Sequence, residues 1–222
     1  MNRSHLLRVL GDIIVDRKLE GSPLKVAIDG RSASGKTTLA DELGGLIRSS
    51  GFQVLRPSLD GFHHRREHRY RQGKYSARGY YQDAFDYESA IEYALKPLTQ
   101  NTFPALCHHV SLDLRTDLPS DAAPVSVGAQ TILLFDGVFL MRAELNGYWD
   151  LRILVEVDSK TSISRALARD AGATDPAELA RKYEVRYEPA WRIYLHTDFP
   201  HTKADIIVEN TDVARPEIVK CL

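Results

Sequence analysis

The sequence is poor in the residues that announce several other kinds of protein. Of 222 residues, two are cysteine and two are methionine. Cys107 and Cys221 are far apart and belong to no CxxC spacing, which excludes a disulfide framework and points to a reducing compartment without a structural metal. Charge of one sign is also missing: 29 Lys and Arg face 30 Asp and Glu, a net charge of -1. Such a field draws neither a phosphate backbone nor an anionic lipid surface, so no nucleic acid and no membrane are expected as partners. No apolar run approaches membrane-spanning length, and the opening MNRSHLLRVLGDIIVD mixes Arg8, Asp12 and Asp16 into its apolar positions, unlike a signal peptide or anchor. A cytoplasmic location is expected. With 43% hydrophobic and 27% charged residues the composition is ordinary for a globular protein, and residues 1–222 read as one domain.

Against that plain background, residues 24–38 stand out. LKVAIDGRSASGKTT is a short apolar run emptying into Gly30, four intervening residues, then Gly35, Lys36 and Thr37. The spacing is GxxxxGK[ST], a phosphate-binding loop. Polyphosphate is met by converging backbone N–H groups at a helix N-terminus, and glycines let the chain approach without a Cβ clash. Gly30, Ser32, Ala33, Ser34, Gly35, Lys36, Thr37 and Thr38 are therefore the candidate residues for ATP. Lys36 would reach the β- and γ-phosphates, and the Thr37 hydroxyl would ligate Mg²⁺.

Periodicity supplies the frame. Leu6, Leu7, Leu10, Ile13 and Ile14 fall at helical spacing behind Ser4, a suitable N-cap. Leu24–Ile28 reads as a strand and Lys36–Ser50 as a helix closed by Gly51. Further strands are expected at Phe52–Leu55, Phe103–Val110, Thr131–Phe135, Leu151–Val157 and Ala204–Val208. Helices are expected at Tyr87–Leu98, Lys160–Asp170, and from Pro176 toward His196 with an interruption at Pro189. Leu118–Gln130 reads as loop. Alternating strands and helices imply an α/β, three-layer sandwich around a mainly parallel sheet, taken as five-stranded, with ligands at the carboxyl ends of the strands.

Two carboxylates follow such strands. Asp60, in SLDGFH, stands where it can accept a proton from an acceptor hydroxyl or hold a metal. A solvated Asp-Gly turn is the plain alternative. Asp136, in TILLFDGVFL, sits at a strand tip where a carboxylate holds Mg²⁺ through water. Between Phe62 and Gly79, Arg65, Arg66, Arg69, Arg71, Lys74 and Arg78 face only Glu67; the stretch is either a solvated loop or a clamp for a phosphorylated sugar or a base. The histidines lack carboxylate or cysteine partners at zinc spacing. Trp149, Trp191, Tyr183, Tyr187 and Tyr194 read as core or hinge packing.

In order along the chain, GRSASGKTT, LDGFHH, YYQDAFDYESAI, ILLFDGVFL, SRALARD and KADIIVEN resemble the uridine kinase and phosphoribulokinase family of P-loop kinases. The resemblance implies Asp60 as catalytic base, Phe62 and His63 as lining of a nucleoside pocket, and Asp136 in place of a strand-tip glutamate near the metal. It implies Arg165 and Arg169 in a mobile lid at about 165–186. The family's ribose-reading aspartate in NFDHPDAFD is replaced here, in GYYQDAFD, by Tyr80, which donates one hydrogen bond but cannot accept two hydroxyls. The family's base-gripping tyrosine and histidine are absent from ALCHHVSLD. The lid centre is shortened to AGATDPAEL, leaving Arg181, Lys182 and Arg186 as replacements. The reading is an ATP- and Mg²⁺-dependent kinase for a hydroxylated small molecule, a nucleoside first, with Asp60, Phe62, His63, Tyr80 and Arg78 at the acceptor. A sugar, phosphopentose or pantothenate-type acceptor is the alternative within kinases, and a P-loop ATPase or nucleotide-binding module the alternative outside them. Either monomer or homo-oligomer is compatible with the sequence.

Overall fold

A computed structural model describes residues 1–100, 102–172 and 175–221. The chain opens with helix α1 (Arg3–Arg17), strand β1 (Leu24–Gly30), helix α2 (Lys36–Ser49) and the two-residue strand β2 (Val54–Leu55). A 3₁₀ turn at Leu59–Phe62 leads through short helices α3 (Arg66–Arg69), α4 (Ala77–Asp83) and α5 (Tyr87–Ala90) to a π-turn at Ile91–Leu95. Four short strands follow, β3 (Ala105–Cys107), β4 (Leu112–Asp113), β5 (Leu118–Pro119) and β6 (Val125–Val127). The second half alternates: β7 (Ile132–Gly137), α6 (Ala143–Asn146), β8 (Leu151–Glu156), α7 (Ser159–Arg169), α8 (Pro176–Lys182), a π-turn Tyr183–Tyr187, α9 (Glu188–Asp198), α10 (Pro200–Lys203), β9 (Ile206–Glu209) and β10 (Glu217–Cys221).

The main sheet has six strands in the order β10-β9-β8-β1-β7-β2. Five are parallel, as expected, and the sixth, β10, runs antiparallel on β9 at the edge. β1 and β7 are buried at every position, as central parallel strands covered on both faces must be. Alternation sends Val26, Ile28, Ile132 and Leu134 to one face, beneath Leu6, Leu10 and Ile14 of α1 and Leu39, Leu43 and Ile47 of α2. Ala27, Leu133 and Phe135 go to the other, under Phe62, Phe85, Trp149, Trp191 and Tyr194.

Three expectations change. Phe103–Val110 is not a strand of the main sheet: only Ala105–Cys107 is extended, paired antiparallel with β6, from within the segment read as loop, in a separate two-stranded sheet. Leu106 is 61% exposed, so this strand has a wet face that a doubly covered sheet does not accommodate. The cap of α1 is Asn2, whose side chain accepts from His5 N at 2.9 Å; Ser4 already lies inside the helix. The helix from Pro176 is interrupted just ahead of Pro189 by the π-turn Tyr183–Tyr187, because a proline leaves one carbonyl of the preceding turn without its N–H partner and widening the turn absorbs the defect. Ala173 and Thr174, inside the expected lid, lie outside the described residues.

Candidate active site

The loop after β1 is built to receive an anion. Helices α1, α7 and α8 are each capped by a side chain, from Asn2, Asp158 and Asp175. α2 starts instead at Gly35, with φ of 91° and no side-chain cap, so its first-turn amides are left to a ligand. A Cβ on Gly35 would stand 2.6 Å from Asn210 Nδ2, and one on Gly30 would stand 2.5 Å from the Val155 carbonyl oxygen and 2.6 Å from Ser34 Oγ. Ala33 is also held at positive φ, 57°. The fully buried Ser34 hydroxyl has no hydrogen-bond partner. These are the marks of a backbone cradle whose shape tolerates no side chain at the two glycines.

Behind the cradle, the Thr37 hydroxyl donates to Asp136 Oδ2 at 2.6 Å. Asp136 is 2% exposed, and its second oxygen accepts from Arg56 Nη2 at 3.2 Å. A hydroxyl and a carboxylate are the hard oxygen donors that suit Mg²⁺, an ion that takes few protein ligands and completes its shell with water and phosphate. No group of three or more His, Cys, Asp and Glu side chains able to hold a metal alone occurs among the described residues.

In front of the cradle lies a cleft of about 710 Å³. Ser32, Ala33, Gly35, Lys36, Thr37, Thr38, Asp60, His63, Tyr80, Arg165 and Arg169 all line it. The 3₁₀ turn at Leu59–Phe62 explains how Asp60 and His63 arrive together, since residues three apart eclipse in such a turn. His63 Nε2 lies 3.7 Å from Asp60 Oδ1, while His63 Nδ1 donates to the Ala84 carbonyl at 2.8 Å and its ring stacks on Phe85. Desolvation by the cleft walls opposes ionisation of Asp60, yet His63, Lys36 and Arg169 outweigh it and hold the carboxyl below its ordinary value. Desolvation lowers the Lys36 ammonium against the pull of Asp60, Asp136 and Asp29. Arg169 is raised by its hydrogen bonds to Asp170.

Two sequence-derived residues lie elsewhere. Phe62 is fully buried and stacks on Phe135, because the turn that points Asp60 outward points Phe62 into the core. Arg78 projects to solvent and donates to Gln82 one turn along α4 at 3.0 Å, on a different face from Tyr80. Of the basic stretch, only Arg69 reaches the cleft, 7% exposed and paired with Asp117 at 3.5 Å. Arg181 packs on Tyr75 and Lys182 on Glu178, so neither replaces a lid arginine. Tyr70, Tyr183, Arg186 and Tyr187 also line it, although Tyr183 and Tyr187 read as packing residues in the sequence. The π-turn that carries them shifts the helical phase, and a 3.6-residue period misplaces their faces.

No protein-family model matches the sequence. Uridine-cytidine kinase B of Dictyostelium discoideum is 27% identical over 192 residues, covering 84% of this chain and 74% of that protein. A structure described as a possible uridine kinase from Bacillus stearothermophilus superposes with a TM-score of 0.71 at 25% identity, covering 90% of this chain and 96% of the other. In sequence and in fold the chain is similar to these uridine kinase-like P-loop kinases. D-glycerate 3-kinase from Cryptococcus neoformans shares the fold at a TM-score of 0.62 and 12% identity, over 96% of this chain and 99% of its own.

In this chain the cradle is tied to the helical segment that faces it. Arg31 pairs with the buried Glu188 at 2.9 Å, Ser32 Oγ shares a 2.7 Å hydrogen bond with the Tyr183 hydroxyl, and Ser162 Oγ donates to the Ser32 carbonyl at 2.7 Å. Arg165 donates to the carbonyls of Asn210 and Thr211 at 2.7 and 2.9 Å. Beneath the loop, Asp29 is fully buried and accepts from Tyr194, Gly30 N and Met141 N. Desolvation outweighs those bonds and the charge of Lys36, raising its carboxyl from 3.8 to about 6.

That shift has a testable sign. The folded chain keeps the Asp29 proton to about pH 6 and the unfolded chain only to 3.8, so the proton favours folding in acid and the benefit fades as pH rises through 6. A shift of this size corresponds to about 3 kcal/mol. Urea unfolding of wild type and Asp29→Asn across pH 4 to 7 is expected to show wild type losing about that much relative to the variant. A difference independent of pH would contradict the assignment.

Proposed function

We propose that the chain transfers the γ-phosphate of ATP to a hydroxyl of a nucleoside. Asp60 and Lys36 share one cleft in front of the phosphate loop, and this observation carries the reading. The amides of residues 30–38 would hold the triphosphate, with Lys36, Arg165 and Arg169 offsetting charge on the transferring group. A second, more apolar recess of about 490 Å³, lined by Arg3, Gly35, Thr38, Arg165, Asn210, Val213 and Ala214, adjoins the loop on its other side and suits the adenine. Thr37 and Asp136 would hold Mg²⁺, which when bound neutralises phosphate charge. Asp60, ionised at neutral pH, orients the acceptor hydroxyl and receives its proton as the new P–O bond forms. His63 steadies Asp60, and Tyr80 stays protonated, its burial raising it well above its ordinary value, so it can donate to the acceptor. Residues 165–186 would act as the lid and the whole chain as one kinase unit. A cytoplasmic setting, where ATP is supplied, belongs to the same proposal.

The nucleoside class is favoured by the similarity to uridine-cytidine kinase B and to the possible uridine kinase. An ADP-release assay with uridine, cytidine, pentoses, phosphopentoses, glycerate and pantothenate tests it. Release that depends on a nucleoside is expected. Release at the same rate with no acceptor would favour an ATPase, and release driven only by a sugar or acid would move the acceptor class.

A further inference from the structure

We propose that Arg186 determines acceptor specificity, donating N–H hydrogen bonds to a keto oxygen on the nucleoside base and so selecting keto bases over adenine. The proposal rests on the nucleoside reading above.

Arg186 is 4% exposed and lines the cleft. Its Nη1 donates to the carbonyls of Lys74 and Ser76 at 2.7 and 3.5 Å. Its guanidinium carbon lies 5.1 Å from the ring centre of Tyr70 and 4.9 Å from that of Tyr80. Two tyrosine rings take up the stacking capacity of the guanidinium, so an incoming ligand meets its N–H edge. Its neighbours in the cleft are already engaged. Arg69 faces Asp117 and Arg169 faces Asp170, while Arg165, which donates to the Asn210 and Thr211 carbonyls, lies at the nucleotide side. Arg186 has no carboxylate partner among the ion pairs of the described residues, a costly state for a buried cation that a ligand oxygen relieves.

Tyr80 links this edge to the chemistry, since it touches Arg186 and lines the same cleft as Asp60. A ribose hydroxyl at Asp60 therefore leaves the base toward Arg186. The guanidinium only donates. Uracil, cytosine and hypoxanthine each offer a carbonyl oxygen to it, whereas the exocyclic group of adenine is itself a donor, so at that position it meets the N–H edge donor to donor and only ring nitrogens remain as acceptors. A site built on buried hydrogen-bonding groups rejects the ligand that cannot complete them much more strongly than an apolar pocket does.

Steady-state kinetics of wild type with uridine, inosine, adenosine, 2-thiouridine and 4-thiouridine test this without altering the protein. Uridine and inosine are expected to exceed adenosine in kcat/KM by on the order of a hundredfold, and one of the two thio analogues to raise KM about tenfold. In Arg186→Lys the uridine-to-adenosine ratio is expected to shrink by about tenfold or more, with KM for ATP unchanged, because the compact ammonium cannot reproduce the fork. Equal use of uridine and adenosine by wild type, or an unchanged ratio in the variant, overturns the inference while the nucleoside reading stands. If no nucleoside is phosphorylated and an anionic sugar or acid is, that reading fails and the inference falls with it.

Discussion

Lys36→Ala is expected to lower phosphoryl transfer by about three orders of magnitude without lowering the unfolding temperature. The lysine follows a glycine-capped helix start and projects into the cleft, where its ammonium donates to the Arg31 carbonyl at 3.2 Å. Loss of one preorganised donor aimed at developing charge costs on the order of 10²–10³ in rate, and a lysine that also bears the γ-phosphate sits at or beyond the upper end. Stability should not fall, because Lys36 takes part in none of the ion pairs of the described residues, and desolvation already disfavours its charge. Calorimetric scans beside single-turnover assays check both halves. A variant that retained wild-type turnover would remove the loop from the reaction.

Asp60→Asn is expected to lower kcat by on the order of 10²–10⁴ while KM for ATP stays within about twofold. The side chain is 74% exposed, so the substitution changes charge and proton affinity with little effect on packing. Asparagine keeps the shape and can still accept a hydrogen bond, but it cannot receive the hydroxyl proton. Because His63, Lys36 and Arg169 hold the carboxyl below its ordinary value, wild-type kcat/KM should show no acid limb from Asp60 at pH 5 or above. The two variants thus separate. On the proposed reading Lys36 acts on the nucleotide and on transfer, and Asp60 on the acceptor alone.

The phosphate cradle was legible because its requirement is backbone shape, and Gly30, Gly35, Lys36 and Thr37 write that shape into contiguous sequence. Asp136 was legible for a related reason, four apolar residues leading to a carboxylate at the end of a central strand. The wall of the cleft opposite the cradle was not. It is assembled from residues near 60–80 and near 183–187, more than a hundred positions apart, and the second group rides on a π-turn that breaks the helical period. Phe62 was misplaced because neighbouring residues of a 3₁₀ turn face different ways, and Arg78 because α4 presents Tyr80 to the cleft from another face. The strand expected at Phe103–Val110 stays out of the main sheet for the same reason that β1 and β7 are clear, since a central parallel strand has to be apolar on both sides.

Titration of a nonhydrolysable ATP analogue with Mg²⁺ into wild type and Lys36→Ala, followed by calorimetry, tests the phosphate-loop assignment most directly. Wild type should bind one analogue per chain with measurable heat, and the variant should bind at least about tenfold more weakly. An absence of heat with wild type, or equal affinity in both proteins, would contradict the account.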